Sequence, residues 1–249
     1  MNAWSAAATA IVWKSPMRHD AAAQALLEPF SDPEAVKRYA EGPPRFVPGF
    51  ADLHRMTGIL LAEQAAPDAR VLVLGAGGGL ELKAFAEAQP GWTFVGVDPA
   101  AEMLKQAERT LGQLAARVQL QHGYIDDAPD GPFDAATCLL TFHFLDVDER
   151  RRTATEIHRR LKPGAPFVAA HSSFPQARDK RARWLSRYAA YAIASGADPN
   201  QANNARTAVD AKLSLLSPEQ DAQTLQDAGF KDIELFYAAF TWRGWIAYA

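Results

Sequence analysis

The stretch Val71-Leu72-Val73-Leu74-Gly75-Ala76-Gly77-Gly78-Gly79 decides how the rest of the chain is read: four apolar residues, then a glycine cluster, then a helix-like run over 80–88. Four consecutive apolar residues bounded by turn formers fit a strand buried on both faces. Glycine supplies the torsions of the tight turn and removes side chains that would hold a ligand away from the backbone. The amides exposed at the start of the next helix attract a negative group. Strand, turn and helix together form a ligand-binding edge.

Spacing narrows the ligand. Asp98 closes a second apolar run and lies 23 residues after Gly75, close to the distance at which an acid accepts hydrogen bonds from a ribose diol. A dinucleotide-type G-x-G-x-x-G would need glycine at position 80, which is Leu80, and no G-K-S or G-K-T is present for a nucleoside triphosphate. A compact nucleoside with a small anionic end fits better than NAD or ATP. On this reading Gly75 permits the turn, Gly77 brings the backbone close to the ligand, and Gly79 relieves packing against a helix.

Outward from this edge the pattern alternates. Strands are expected over 70–74, 93–97, 118–122, 133–140 and 165–170, with helices over 51–65, 80–88, 98–115 and 148–161. Alternation of this kind predicts a parallel sheet with right-handed crossovers. Residues 175–217 break the rhythm with two helices, at 176–195 and 200–216, expected to cap the sheet or form a subunit surface. A capped helix over 218–228 and strands over 231–238 and 240–248 complete the chain. Ahead of the sheet, 1–20 reads as a peripheral arm or a lid over the ligand, and 20–30 and 32–41 as short helices. The expected organisation is a helical covering segment over 1–50 and an α/β domain over 51–249.

Composition bounds the rest. The 249 residues are 48% hydrophobic, enough for a sizeable core. A formal net charge of -3 offers no general attraction for nucleic acid or an anionic membrane. Cys138 is the only cysteine, which excludes an intrachain disulfide. No export signal or spanning helix is evident, so a cytoplasmic location is expected. The histidines are scattered and no H-E-x-x-H occurs, so no metal site is expected.

The glycine stretch, the second strand ending Val95-Gly96-Val97-Asp98, the segment Phe133-Asp134-Ala135-Ala136-Thr137-Cys138-Leu139-Leu140-Thr141-Phe142-His143-Phe144-Leu145 and the turn Leu161-Lys162-Pro163-Gly164 together resemble the class I S-adenosylmethionine-dependent methyltransferases. The resemblance implies an α/β, Rossmann-like fold with a mostly parallel seven-stranded sheet, helices on both faces and an antiparallel last strand. It implies S-adenosyl-L-methionine as cofactor, with Gly75, Gly77 and Gly79 around the methionine portion, Asp98 on the ribose, and Met103, Tyr124 and Ile125 near the adenine. Two positions depart from the pattern. Val73 stands where many relatives carry an acid, and Tyr124 where aspartate is common. The segments 45–56 and 228–242 resemble the branch containing the carboxy-S-adenosylmethionine synthases, which implies a homodimer and makes Arg206 a candidate for a carboxylate.

Methyl transfer to a protonated oxygen or nitrogen is helped by a general base. His143, after the fourth strand, is the first candidate; His171, after the fifth, is the second. Tyr39, Arg45 and Tyr188 are candidate substrate contacts from covering segments. Arg178, Lys180, Arg181, Arg183 and Arg187, interleaved with Trp184 and Tyr188, form a basic stretch able to meet phosphates or a small acidic substrate. The expected activity is methylation of a small organic acceptor on oxygen or nitrogen. The alternatives are carboxy-S-adenosylmethionine or tRNA-modification chemistry, and a cofactor-binding protein without catalysis.

Overall fold

A computed structural model describes residues 27–249. The expectations for 1–20, and the opening of the helix expected at 20–30, lie outside the described residues. Seven strands form one sheet: β1 (Arg70–Leu74), β2 (Thr93–Asp98), β3 (Val118–His122), β4 (Ala135–Leu139), β5 (Pro166–Ser172), β6 (Lys231–Ala239) and β7 (Trp242–Tyr248). Their spatial order is β3-β2-β1-β4-β5-β7-β6. The first five run parallel, and β7 is antiparallel to both β5 and β6. This is the doubly wound, Rossmann-like architecture that the resemblance implied.

The buried β1 run divides its side chains by the two-residue period of a strand. Val71 and Val73 pack with Leu53 and Leu61 of helix α3 (Phe50–Ala62) and with Leu82 and Phe85 of helix α4 (Leu80–Ala88). Leu72 and Leu74 point the other way, into a layer with Ala154 and Ile157 of helix α6 (Val147–Arg160) and Leu225 of helix α9 (Pro218–Asp227). Helices therefore cover both faces. The register sets Val73 beside Gly96 on β2 and Thr137 on β4, so the glycine turn leaves the sheet between the C-terminal ends of those strands.

Local chemistry sets several element ends. Asp146 opens α6 by accepting from the Glu149 amide at 2.8 Å, and Ser217 with Gln220 forms a capping box at the start of α9. Helix α5 (Ala101–Leu111) stops short of the expected position 115 because Gly112 takes φ 53°, after which a 3-10 turn spans Gly112–Arg117. The Arg117 guanidinium then donates to the carbonyls of Ala86, Gln89 and Trp92, satisfying acceptors at the end of α4 and in the loop after it.

The covering segment also differs from expectation. The helix expected over 32–41 divides into α1 (Pro33–Lys37) and a 3-10 turn at Tyr39–Glu41, and the turn-rich stretch after it contains a short helix α2 (Pro43–Phe46). Helices α7 (Arg178–Ala194) and α8 (Pro199–Lys212) occupy the region that interrupts the strand and helix rhythm. Leu185 of α7 packs with Phe174 and Leu215, and Tyr188 packs against Phe46 at 5.4 Å between ring centroids. No helix among the described residues is long and apolar enough to cross a membrane.

His54 of α3 is buried between Phe50, 4.4 Å away, and Phe85, 6.5 Å away, between ring centroids. Burial pushes its pKa down from 6.5 to about 4. Between these values the unfolded chain takes up a proton that the folded one refuses, so His54 favours the fold above pH 6.5 and loses that contribution as pH falls towards 4. The contribution is up to roughly 3 kcal/mol. We expect the pH 7 to pH 5 drop in urea-unfolding stability to shrink in His54→Leu. An identical drop in both proteins would refute this.

Candidate active site

At the end of β1 the chain turns sharply and is tied to β2. The amides of Gly75 and Ala76 both donate to the carbonyl of Val97, at 2.8 and 3.0 Å. Gly75 has φ 79°, and a Cβ there would lie 2.0 Å from Thr141 Oγ1, so the loop after β4 rests on bare backbone. Gly77 has φ 48°, and its amide donates to Asp98 Oδ2 at 2.8 Å. The Ala100 amide donates to Asp98 Oδ1 at the same distance. Asp98 is thereby fixed at the tip of β2, with a lone pair on each oxygen still able to meet a hydroxyl. Burial raises its pKa, opposed by these two amides and by the nearby His122.

The covering segment closes over this turn. Tyr39 lies against Gly78, where a Cβ would be 3.1 Å from its Cδ1, and its hydroxyl would stand 3.8 Å from a Cβ on Gly77. Met103 Cε would lie 3.4 Å from that same Gly77 position. Val36, Ala100 and Met103 form a small apolar cluster with Leu27, Phe30 and Tyr39. Burial, with the charges of Asp98 and Glu81, pushes the Tyr39 hydroxyl upward in pKa. Phe30 meets Tyr39 edge-on at 6.4 Å and Phe144 at 5.9 Å between ring centroids. Tyr124 stands beside β3, its amide donating to Asp127 Oδ2 at 2.9 Å; burial and the Asp98 charge raise its pKa. Ile125 is buried in the layer beneath.

The loop after β4 begins with Leu140 at φ 55°, a left-handed torsion that strains a branched side chain. Buried Arg150 of α6 holds this loop by donating to the carbonyls of Phe142, at 3.1 Å, and Leu145, at 3.3 Å. Arg150 also donates to the carbonyl of Ser214 and pairs with buried Asp221 at 2.5 Å. The loop that carries His143 is thus anchored by a buried guanidinium.

His143 is buried, 5.7 Å from Trp242 between ring centroids. Its Nδ1 accepts from the Ser172 amide at 3.3 Å, which places the proton of the neutral ring on Nε2. Burial first, then the charges of His171 and Arg150, hold its pKa well below 6.5, with Asp221 opposing. An imidazole whose lone pair is committed and whose cation is disfavoured is a poor general base. Both features argue against the expected base role and leave Nε2–H as a hydrogen-bond donor of the neutral ring.

His171 lies elsewhere. It is buried against Phe142 and Trp245, with Nε2 3.0 Å from Asp221 Oδ1 but off the hydrogen-bond direction, in the layer of α6 and α9. It belongs to the charge cluster of Arg150 and Asp221 behind the loop, away from the glycine turn. Tyr188 is also packed inside, between Phe46 and Trp242. Arg45 is exposed and sits 3.7 Å from Glu41, and Arg206 is half-buried on α8. The structure thus brings Tyr39, Gly75, Gly77, Gly79, Asp98, Met103, Tyr124 and His143 to one edge, with Ile125 in the layer beneath, and leaves Arg45, His171, Tyr188 and Arg206 away from it.

The basic stretch is partly engaged. Arg181 pairs with Asp210 at 2.7 Å, and Arg187 and Arg243 both lie over the Trp184 ring, at 4.6 and 5.5 Å. Stacking on Trp184 is therefore already supplied from within the chain. On α6, Arg152 pairs with Asp126 and Arg159 with Asp130.

Glu81 was missed. It is buried in the first turn of α4 and accepts from Thr137 Oγ1 at 2.6 Å. Its signal was present: Glu81 precedes buried Phe85 by one helical turn, placing an acid on the apolar stripe of α4. Burial pushes its pKa from 4.5 to about 8.

The chain carries recognisable relatives of this geometry. Residues 71–164 match the family model described as "Methyltransferase domain". The carboxy-S-adenosyl-L-methionine synthase of Actinobacillus succinogenes is 24% identical over 208 residues, covering 82% of this chain and 86% of that protein. The demethylmenaquinone methyltransferase of Lactiplantibacillus plantarum is 37% identical over 115 residues, covering 44% of this chain and 48% of that protein. Among solved structures, human N-acetylserotonin methyltransferase in complex with S-adenosylmethionine superposes with a TM-score of 0.60 at 15% identity, covering 90% of this chain. This chain spans 58% of the length of that human protein.

The sheet order is that of the class I S-adenosylmethionine-dependent methyltransferase fold, and a methyltransferase domain matches over residues 71–164, which supports S-adenosyl-L-methionine as the cofactor. Within that class the chain has distant similarity to carboxy-S-adenosyl-L-methionine synthases. The residues present fit the cofactor: a buried carboxylate at the tip of β2 suits a diol, and Gly77, at φ 48°, presents bare backbone beside it.

Proposed function

We propose that the protein transfers a methyl group from S-adenosyl-L-methionine to an oxygen or nitrogen of a small organic acceptor. The observation that carries this reading is the alignment of Asp98, the glycine turn and the His143 loop along one sheet edge, under a cover that includes Phe30 and Tyr39. The cofactor supplies a methyl group activated by its sulfonium. The chain has four tasks: it grips the ribose at Asp98, seats the amino-acid end on the glycine turn, excludes water with Phe30, Tyr39 and Phe144, and orients the acceptor. Positioning and water exclusion are the means by which such a transfer is accelerated without metal or covalent enzyme chemistry.

In this proposal His143 orients the acceptor through Nε2–H, and Trp242 supports the ring from behind. His143→Phe should lower turnover about 100-fold, the scale of losing one oriented donor, while cofactor affinity stays within about twofold. The measurement is S-adenosylhomocysteine release across a panel of phenols, catechols, amines and heteroaromatic acceptors, with calorimetry of cofactor binding. Unchanged turnover in the variant would remove His143 from the mechanism. A second reading, handling of a carboxylated cofactor, is favoured by the similarity to carboxy-S-adenosyl-L-methionine synthases across 82% of the chain.

A further inference from the structure

Glu81 is a buried carboxylate with no cationic partner among the described residues. Thr137 Oγ1 donates to Oε1, and Oε2 has no hydrogen-bond partner among the described residues. The neighbouring titratable groups are Tyr39 from the covering segment and Cys138 on β4, both pushed upward in pKa partly by the Glu81 charge. Neither supplies a positive charge. A buried carboxylate left this way is costly unless it is neutral or receives a cation from a ligand.

Sheet order states which part of a ligand reaches it. Asp98 ends β2, whereas Glu81 bonds to Thr137 of β4, and β1 with its glycine turn lies between those strands. A ligand whose ribose is held by Asp98 and whose chain crosses the glycine turn brings its far end to Glu81. In S-adenosyl-L-methionine that end carries an α-ammonium. Val73, paired in register with Thr137, offers no charge there.

The geometry points to Glu81 as the acceptor for the α-ammonium of S-adenosyl-L-methionine, the carboxyl being supplied from helix α4 where strand β1 has valine. This assignment rests on the cofactor reading above. A consequence concerns protons. With its pKa at about 8, Glu81 is mostly protonated at pH 7 in the free protein. Binding of the α-ammonium, mostly protonated at pH 7, favours the carboxylate, so the Glu81 proton leaves to solvent as the ion pair forms.

The test is calorimetry of cofactor binding at pH 7 in buffers of different ionisation enthalpy, with S-adenosylmethionine, S-adenosylhomocysteine and 5′-methylthioadenosine. S-adenosylhomocysteine keeps the ammonium and lacks the sulfonium; 5′-methylthioadenosine keeps the nucleoside and lacks the amino-acid end. We expect release of most of one proton with the first two ligands and almost none with the third. Glu81→Gln, which preserves the Thr137 hydrogen bond, should abolish the release, weaken the first two ligands at least about tenfold and leave 5′-methylthioadenosine unchanged. Equal proton release from all three ligands in the wild type, or none from any, would overturn the assignment even if the variant fails to fold. Absence of binding by all three would instead overturn the cofactor reading.

Discussion

Replacing Asp98 with alanine is expected to weaken S-adenosylmethionine binding by on the order of 100-fold, about 2 to 3 kcal/mol, the scale of losing two charge-assisted hydrogen bonds to a diol. Part of the loss comes from the protein itself. Asp98 accepts from the amides of Gly77 and Ala100, so alanine also releases the glycine turn from the tip of β2. Asp98→Asn separates the two contributions, since one oxygen remains as an acceptor while the charge is removed. Calorimetry should rank wild type, asparagine and alanine in that order of affinity. Equal affinity in wild type and the alanine variant would take Asp98 out of the cofactor site.

Gly75→Ala is expected to have an effect of similar size by a different route. At φ 79° an alanine costs roughly 1 to 2 kcal/mol in backbone strain. Its Cβ would also fall 2.0 Å from Thr141 Oγ1 and 2.8 Å from Thr141 Cβ, so the loop carrying His143 must move. Cofactor affinity and turnover should both fall by more than about 100-fold. The double variant Gly75→Ala with Thr141→Gly removes the clash and keeps the strain, and should recover part of the loss. A coupling of about 1 to 3 kcal/mol in that cycle is expected between residues in direct contact. Strict additivity would show that Thr141 does not rest on the turn.

Much of this site was legible because its parts are local. The glycine turn and Asp98 are set by strand ends, and strand ends follow from short apolar runs bounded by glycine, proline and aspartate. The bounds of β1 and α4 came from such runs directly. What escaped the sequence depends on contacts between distant elements. Whether His143 is a base or a donor depends on the Ser172 amide, 29 residues away. The place of His171 follows from its neighbour Asp221 on α9, and the anchoring role of Arg150 from carbonyls on two separate segments, the loop after β4 and Ser214. Glu81 is an intermediate case: its helical spacing with Phe85 was readable, but the meaning of a buried acid required Thr137 and the β2-β1-β4 order. The single helix expected over 32–41 failed because its backbone breaks at Arg38, which sets Tyr39 over the glycine turn.

In the proposed function the edge formed by Gly75, Gly77 and Asp98 holds the cofactor, with the ribose at β2, the acceptor at the loop after β4 and Tyr39 in the cover. On that proposal an unmodified S-adenosylmethionine is held there for methyl transfer. Mass spectrometry of the nucleoside released from freshly purified protein tests this most directly. The expected result is S-adenosylmethionine or S-adenosylhomocysteine in the wild type and neither in the Asp98→Ala variant. A carboxylated S-adenosylmethionine in the wild type, or the same nucleoside retained at equal occupancy by the variant, would contradict it.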